Sequence, residues 1–113
     1  MINLSIILTA FKEEKTIGEA IKQIISQLPK NSEILVIAPD EPTLSVAKKF
    51  SEKDKRIKIL KDLGKGKPKA LNLSFRKAKG KILILTDGDV LVGKNSIKLL
   101  LKHFENPKVG AVS

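Results

Sequence analysis

The stretch ILILTDGD, residues 82–89, decides the fold class predicted for this chain of 113 residues. Its first four residues are apolar without polar alternation, which is typical of a parallel strand covered on both faces. Two carboxylates separated by one glycine follow directly. Ligands of open parallel sheets bind beyond the carboxyl ends of the strands. The stretch therefore predicts a strand that ends at a polar site.

Apolar runs and helical periodicity alternate along the rest of the chain. We predict further strands at 5–8, 34–37, 57–60 and 109–112, and helices at about 17–28, 42–50, 68–78 and 97–104. Thr16 and Glu19 form a T-x-x-E capping box at the start of the first helix. Phe50, Phe75 and Phe104 fall on apolar helix stripes and are predicted to lie in the core. The alternation predicts one α/β domain with an open, mostly parallel sheet of about four to five strands and helices on both faces.

Composition excludes several classes of protein. The chain has no cysteine, which rules out disulfides and Cys-ligated zinc within it. Its formal charge is +10, and 20 of its 22 basic residues are lysine. Base-reading proteins rely on arginine, so we interpret the charge as a solubility or high-temperature adaptation and expect no nucleic-acid partner. No apolar run reaches the roughly 18 residues of a membrane span, so a cytosolic location is expected, with a peripheral position at a membrane surface compatible.

The pair Asp87 and Asp89, separated by Gly88, is the strongest chemical signal. Mg²⁺ and Mn²⁺ are commonly held by one or two carboxylates together with substrate phosphates, so this pair is a candidate metal site. A solvated Asp-Gly turn is the alternative, since this dipeptide is common in hairpins. The residues that follow resemble the approach to a helix more than a return strand.

Two other segments are candidates for ligand binding. The run Gly64–Lys69 combines flexible backbone with three lysines just before a helix, which suits an oxyanion such as a diphosphate. A loop with solvated lysines explains it equally well. In the segment Thr9–Glu14, the ring of Phe11 could face a base, and Glu13 or Glu14 could accept hydrogen bonds from hydroxyl groups. The two carboxylates could equally interact with the amino end of the helix that follows. The single histidine, His103, is interpreted as a surface residue near a helix end.

Five segments, in this order, resemble the amino-terminal half of family 2 glycosyltransferases. They are SIILTAFKEEKTI (5–17), KPKALN (67–72), AKG (78–80), ILTDGDV (84–90) and FENPKVGAVS (104–113). The resemblance implies that residues 1–113 form a single GT-A donor-binding domain, a Rossmann-like nucleotide-binding half. It also implies a nucleotide-diphosphate sugar as donor and Mg²⁺ or Mn²⁺ as cofactor.

The resemblance also implies roles for individual residues. Asp87 and Gly88 would lie near the ribose or sugar of the donor, and Asp89, together with Asp87, would bind the metal. The family's segment around the nucleoside matches Thr9, Phe11 and Glu13, and its glycine-lysine motif matches Lys67. The family usually has an acidic pair after the second strand to hold the base. This chain has Ala38-Pro39 there, with Asp40 and Glu41 displaced toward the next helix. Asp40 is kept as a donor-binding candidate, and the identity of the base stays open.

Length is the larger departure from the family. The acceptor half, which carries the catalytic base, would begin beyond Ser113. The chain is then a fragment of an active enzyme, or a non-catalytic domain that binds nucleotide-sugar or dimerises, with a homo-oligomer compatible. A Toprim-like metal module that binds nucleic acid is a further alternative, because it also pairs an early glutamate with a later Asp-x-Asp.

Overall fold

The computed structural model describes residues 2–62, 67–88, 93 and 96–103. Four strands alternate with four helices in this part of the chain. In chain order they are β1 (Leu4–Thr9), α1 (Ile17–Ile25), β2 (Ser32–Ala38), α2 (Glu41–Lys53), β3 (Ile57–Lys61), α3 (Lys67–Lys77), β4 (Ile82–Asp87) and α4 (Ser96–His103). The strand predicted at 109–112 and the predicted core residue Phe104 lie outside the described residues.

The four strands form one sheet in the order β3-β2-β1-β4, and every neighbouring pair is parallel. Ile6 of β1 lies opposite Ile34 of β2 on one side and Ile84 of β4 on the other. Every residue of β1 and β2 is buried, as their uninterrupted apolar runs predicted. The α/β class and the open parallel sheet are thus confirmed.

Helices pack on both faces of the sheet and divide the core in two. On one face, side chains of β1 and β2 such as Leu8 and Val36 pack with α1, α2 and Ile97 of α4. On the other face, Ile7 and Leu35 pack with Ala70 of α3. No helix in the described part of the chain is both long and apolar enough to cross a membrane.

One face of β4 departs from the prediction. Leu83 is 37% exposed and Leu85 is 53% exposed, so coverage of β4 on both faces was a wrong prediction for the described residues. The reason is that α3 packs over β1 and β2 rather than over β4. Phe75 was also predicted wrongly as core, since it is 45% exposed. Ser74 faces the sheet, and Phe75 is rotated from it by about 100° around the helix axis.

A buried polar network ties the amino end of the sheet to the segment after α3. Glu33, at the start of β2, is 1% exposed. Its Oε2 accepts hydrogen bonds from Ser5 Oγ (2.6 Å) and Lys79 N (2.7 Å), and Ser5 Oγ accepts one from Gly80 N (2.8 Å). The network lies at the edge opposite the predicted site, so it positions β4 without touching that site.

Candidate functional site

The carboxyl ends of β1 and β4 meet at the edge where the site was predicted. Thr9 and Asp87 are partners in the parallel register. The Thr9 hydroxyl donates a hydrogen bond to Asp87 Oδ1 (3.1 Å), and Gly88 N donates to the carbonyl oxygen of Thr9 (2.9 Å). These contacts hold the Asp87 carboxylate at the end of the sheet, although the two residues are 78 positions apart.

Gly88 allows β4 to approach the loop that follows β1. A Cβ atom built at this position would lie 2.8 Å from Ala10 Cβ and 3.5 Å from Glu13 Oε2. The first distance is shorter than side chains tolerate, so a residue with a side chain would force the strand end and the loop apart. Glycine therefore lets the end of β4 lie close to the loop that carries Glu13.

Thr16 connects the loop to β4 in a way that the sequence did not reveal. Its side chain makes no capping hydrogen bond to α1, so the predicted capping box with Glu19 is wrong. Thr16 has helical backbone angles, and the preceding turn is closed by Ile17 N donating to the carbonyl of Glu13 (2.9 Å). The Thr16 hydroxyl instead donates to the carbonyl oxygen of Gly88 (3.0 Å).

Residues 10–16, which we call the β1 loop, border an open cleft. The cleft has a volume of about 640 Å³ and is lined by residues 11–16. Phe11 is 59% exposed, and its backbone N–H donates to Glu13 Oε1 (3.1 Å). The ammonium group of Lys12 lies 5.2 Å from the centre of the Phe11 ring. An exposed aromatic face, a carboxylate and an ammonium group thus border one cleft.

Asp40 lies between β2 and α2, and its side chain bonds both to the first turn of α2 and to the β1 loop. Its Oδ2 accepts the N-capping hydrogen bond from Thr43 N (3.3 Å) and a bond from Thr43 Oγ1 (2.5 Å), while Oδ1 accepts from Lys12 N (3.1 Å). Desolvation raises the pKa of Asp40, but these hydrogen bonds outweigh it and hold the pKa below its ordinary value of 3.8. The carboxylate is therefore ionised at neutral pH.

The structure brings together Thr9, Phe11, Glu13, Asp87 and Gly88 along one edge. Asp89 and the side chain of Lys67 lie outside the described residues, so their predicted positions are not tested. Among the residues that are described, no cluster of three or more His, Cys, Asp and Glu side chains could hold a metal ion. Sequence analysis overlooked Thr43 and the role of Thr16. A Thr three positions after an N-cap Asp was the available signal for Thr43.

Comparison with known proteins identifies similar sequences and a similar fold. The chain is 34% identical over 103 residues to an uncharacterised glycosyltransferase of Rickettsia conorii. The match covers 90% of this chain and 17% of the relative. It is 32% identical over 105 residues to an uncharacterised glycosyltransferase of Haemophilus influenzae, covering 90% of this chain and 32% of that protein. The chain thus spans a third or less of the length of these relatives.

The fold also matches that of a protein of known structure. The crystal structure of S. aureus TarS 1-349 superposes with a TM-score of 0.79 at 22% identity, covering 92% of this chain and 32% of TarS 1-349. TarS 1-349 has also been solved in complex with UDP and with UDP-GlcNAc, with TM-scores of 0.79 and 0.76. The model of the glycosyl transferase family 2 matches residues 5–113, and the chain therefore belongs to this family.

Proposed function

We propose that this chain is the donor-binding part of a metal-dependent glycosyltransferase, which transfers a sugar from a nucleotide-diphosphate donor to an acceptor hydroxyl. The observation that carries the proposal is the shared edge at which the end of β4, Asp87, and the following Gly88 meet the β1 loop with Phe11 and Glu13. Family membership supports it. The complexes of the TarS neighbour with UDP and UDP-GlcNAc suggest a uridine nucleotide as the first ligand to test.

The cleft beside the β1 loop suits the nucleoside. Phe11 is exposed enough to stack on a base, and the Glu13 carboxylate is held at the loop by the N–H of Phe11. The Thr9 hydroxyl donates its hydrogen bond to Asp87. In this proposal Thr9 therefore acts by orienting the Asp87 carboxylate for the ribose and sugar of the donor. In this proposal the loop selects the nucleotide, and the end of β4 holds the sugar-diphosphate.

The chemistry of the donor set fits Mg²⁺ or Mn²⁺. Asp87 is a hard oxygen ligand anchored at the sheet edge, and Asp89 follows it after one residue. Asp87 and Asp89 would hold the ion. When bound, it would neutralise the negative charge that grows on the departing diphosphate. Lys67 begins α3 and adds positive charge at a helix amino end, where a phosphate group is favoured.

The catalytic base that deprotonates the acceptor has no counterpart among the residues of this chain that match the family. We therefore propose that the 113-residue chain binds donor but transfers no sugar alone. We propose a cytosolic location, where the many lysine side chains would allow attraction to the anionic surface of a membrane. A non-catalytic nucleotide-sugar-binding domain has the same binding properties and differs only in the activity of the whole protein.

Isothermal titration calorimetry with UDP tests the binding function. We expect binding in the presence of Mn²⁺ and strong weakening when EDTA removes the ion. Asp89→Ala should abolish the Mn²⁺-dependent part, whereas Glu52→Ala, which removes an exposed carboxylate on α2, should bind as the wild type does. Equal affinities for Asp89→Ala and the wild type would refute the metal role. Absence of UDP binding to the wild type would refute a uridine donor, and a panel of other nucleoside diphosphates would then test the donor site itself.

A further inference from the structure

The β1 loop is held by two side chains that lie outside it. Asp40 Oδ1 accepts a hydrogen bond from Lys12 N (3.1 Å), and Thr43 Oγ1 accepts one from Glu13 N (3.0 Å). Asp40 is the N-cap of α2 and Thr43 lies in its first turn, about 30 positions further along the chain. Two consecutive N–H groups of the loop are thus bound by a different element.

The conformation of the β1 loop needs such support. Lys12 has φ 54°, in the left-handed region that residues with side chains rarely adopt. A loop with this backbone persists only when its surroundings favour it. The two residues on either side of Lys12 are Phe11 and Glu13, which line the cleft. The contacts that hold Lys12 and Glu13 therefore also set where the aromatic ring and the carboxylate lie.

Thr43 is the central residue of this arrangement. It is fully buried, with 0% exposure. Its hydroxyl donates to Asp40 Oδ2 (2.5 Å) and accepts from Glu13 N (3.0 Å). Only a hydroxyl side chain of this size supplies a donor and an acceptor from one atom. Because the hydroxyl hydrogen of Thr43 is donated to Asp40, a lone pair of the hydroxyl oxygen is left to accept the hydrogen bond from the loop. The ionised Asp40 carboxylate strengthens the chain of bonds.

We propose that Thr43, together with Asp40, is a positioning residue for the donor nucleotide: it holds the β1 loop in the conformation that places Phe11 and Glu13 for binding. This inference rests on the proposed function. It also gives a different role to Asp40, which the sequence analysis kept as a donor-binding candidate. Both of its carboxylate oxygens bond to the protein, so Asp40 acts through the loop. A loop that is ordered before the ligand arrives loses less entropy on binding.

A matched pair of substitutions at position 43 tests the proposal. Thr43→Val keeps the shape and the backbone N–H that Asp40 caps, but removes the hydroxyl. Thr43→Ser keeps the hydroxyl and removes a methyl group. We expect Thr43→Val to bind UDP with Mn²⁺ about tenfold more weakly than the wild type, which corresponds to the loss of about one hydrogen bond. Thr43→Ser should restore binding to within about twofold of the wild type.

A second readout uses no ligand. Hydrogen exchange followed by NMR should show that the amides of Lys12 and Glu13 are protected in the wild type and exchange about tenfold faster in Thr43→Val. Amides of α1 and the end of α2 should keep their wild-type rates, which a general loss of stability would not allow. Asp40→Gly is the second variant, because glycine is nearly as good an N-cap but makes no contact with Lys12.

The outcomes separate the two proposals. Unchanged UDP affinity and unchanged exchange at Lys12 and Glu13 in both Thr43→Val and Asp40→Gly would overturn the positioning role. A second outcome is that loop exchange is faster in Thr43→Val but the wild type binds no nucleoside diphosphate. That outcome would refute the proposed function, and with it the role of Thr43 in donor binding, while leaving the loop contacts established. Weaker binding with faster exchange confined to the loop would support both.

Discussion

Gly88→Ala probes the closest approach in the candidate site. The added methyl group would lie 2.8 Å from Ala10 Cβ, whereas ordinary contacts begin near 3.4 Å, so the end of β4 and the β1 loop must separate by roughly 0.6 Å. Neither side can move freely. Gly88 N bonds to the Thr9 carbonyl (2.9 Å), and Ala10 N bonds to the Ile37 carbonyl (3.0 Å).

The expected cost follows from this crowding. Overpacking a site with constrained neighbours destabilises a protein by about 1 to 3 kcal/mol. Gly18→Ala is the matched control, since its methyl group would lie 3.5 Å from Val46 Cγ1, an ordinary contact. Gly18 lies in the first turn of α1, where alanine is preferred to glycine by at most about 0.5 to 1 kcal/mol, the value for a helix interior. The same chemical change should therefore destabilise at Gly88 and stabilise at Gly18.

Urea unfolding followed by far-UV circular dichroism measures both effects, because the chain has no tryptophan or tyrosine for fluorescence. With a slope of about 2 kcal/mol per molar urea, a loss of about 2 kcal/mol lowers the midpoint by about 1 M. UDP affinity should fall as well, since the methyl group would displace the loop that carries Glu13. A Gly88→Ala midpoint equal to or above that of the wild type would refute the close approach, and with it the site geometry.

Three further predictions follow from other contacts. Gly80→Ala places a methyl group 2.5 Å from the backbone nitrogen of Ser5, so it should lower the urea midpoint at least as much as Gly88→Ala does. A smaller decrease of the midpoint would contradict the tight contact at the buried Glu33 network. The side-chain hydrogen bonds from Arg56 lower the pKa of Asp54 below its ordinary 3.8, so the stability that this pair adds is present above pH 3.8 and is lost as the pH falls through the lowered value. The stability difference between the wild type and Asp54→Asn should therefore shrink toward zero in acid, and a difference that stays constant with pH would exclude this linkage. Leu85→Lys removes an exposed apolar side chain from β4 and should reduce self-association measured by sedimentation equilibrium. Lys98→Ala, at an exposed position of α4, is the control. A wild type that is monomeric at high concentration would show that this face of β4 does not self-associate.

Local sequence patterns were sufficient for the elements of the fold. Uninterrupted apolar runs identified β1 and β2 because both strands are buried on both faces, and periodic apolar residues identified α1. The alternation of strand and helix then placed Asp87 at the carboxyl edge of a parallel sheet, since right-handed crossovers leave few other arrangements. The same patterns misjudged Phe75 and Leu85, because a stripe of apolar residues does not say which neighbour covers it.

The site depends on contacts that no local pattern contains. The hydroxyl of Thr16 reaches the carbonyl of Gly88 across 72 positions, and Thr43 reaches Glu13 across 30. The sequence by itself determined which residues with oxygen-containing side chains stand at the ends of the strands. Only the tertiary structure decided that Thr16 bonds to β4 instead of capping its own helix, and that Asp40 supports the loop. Each hydroxyl or carboxylate has several partners within reach along the chain, and packing of the sheet and helices selects among them.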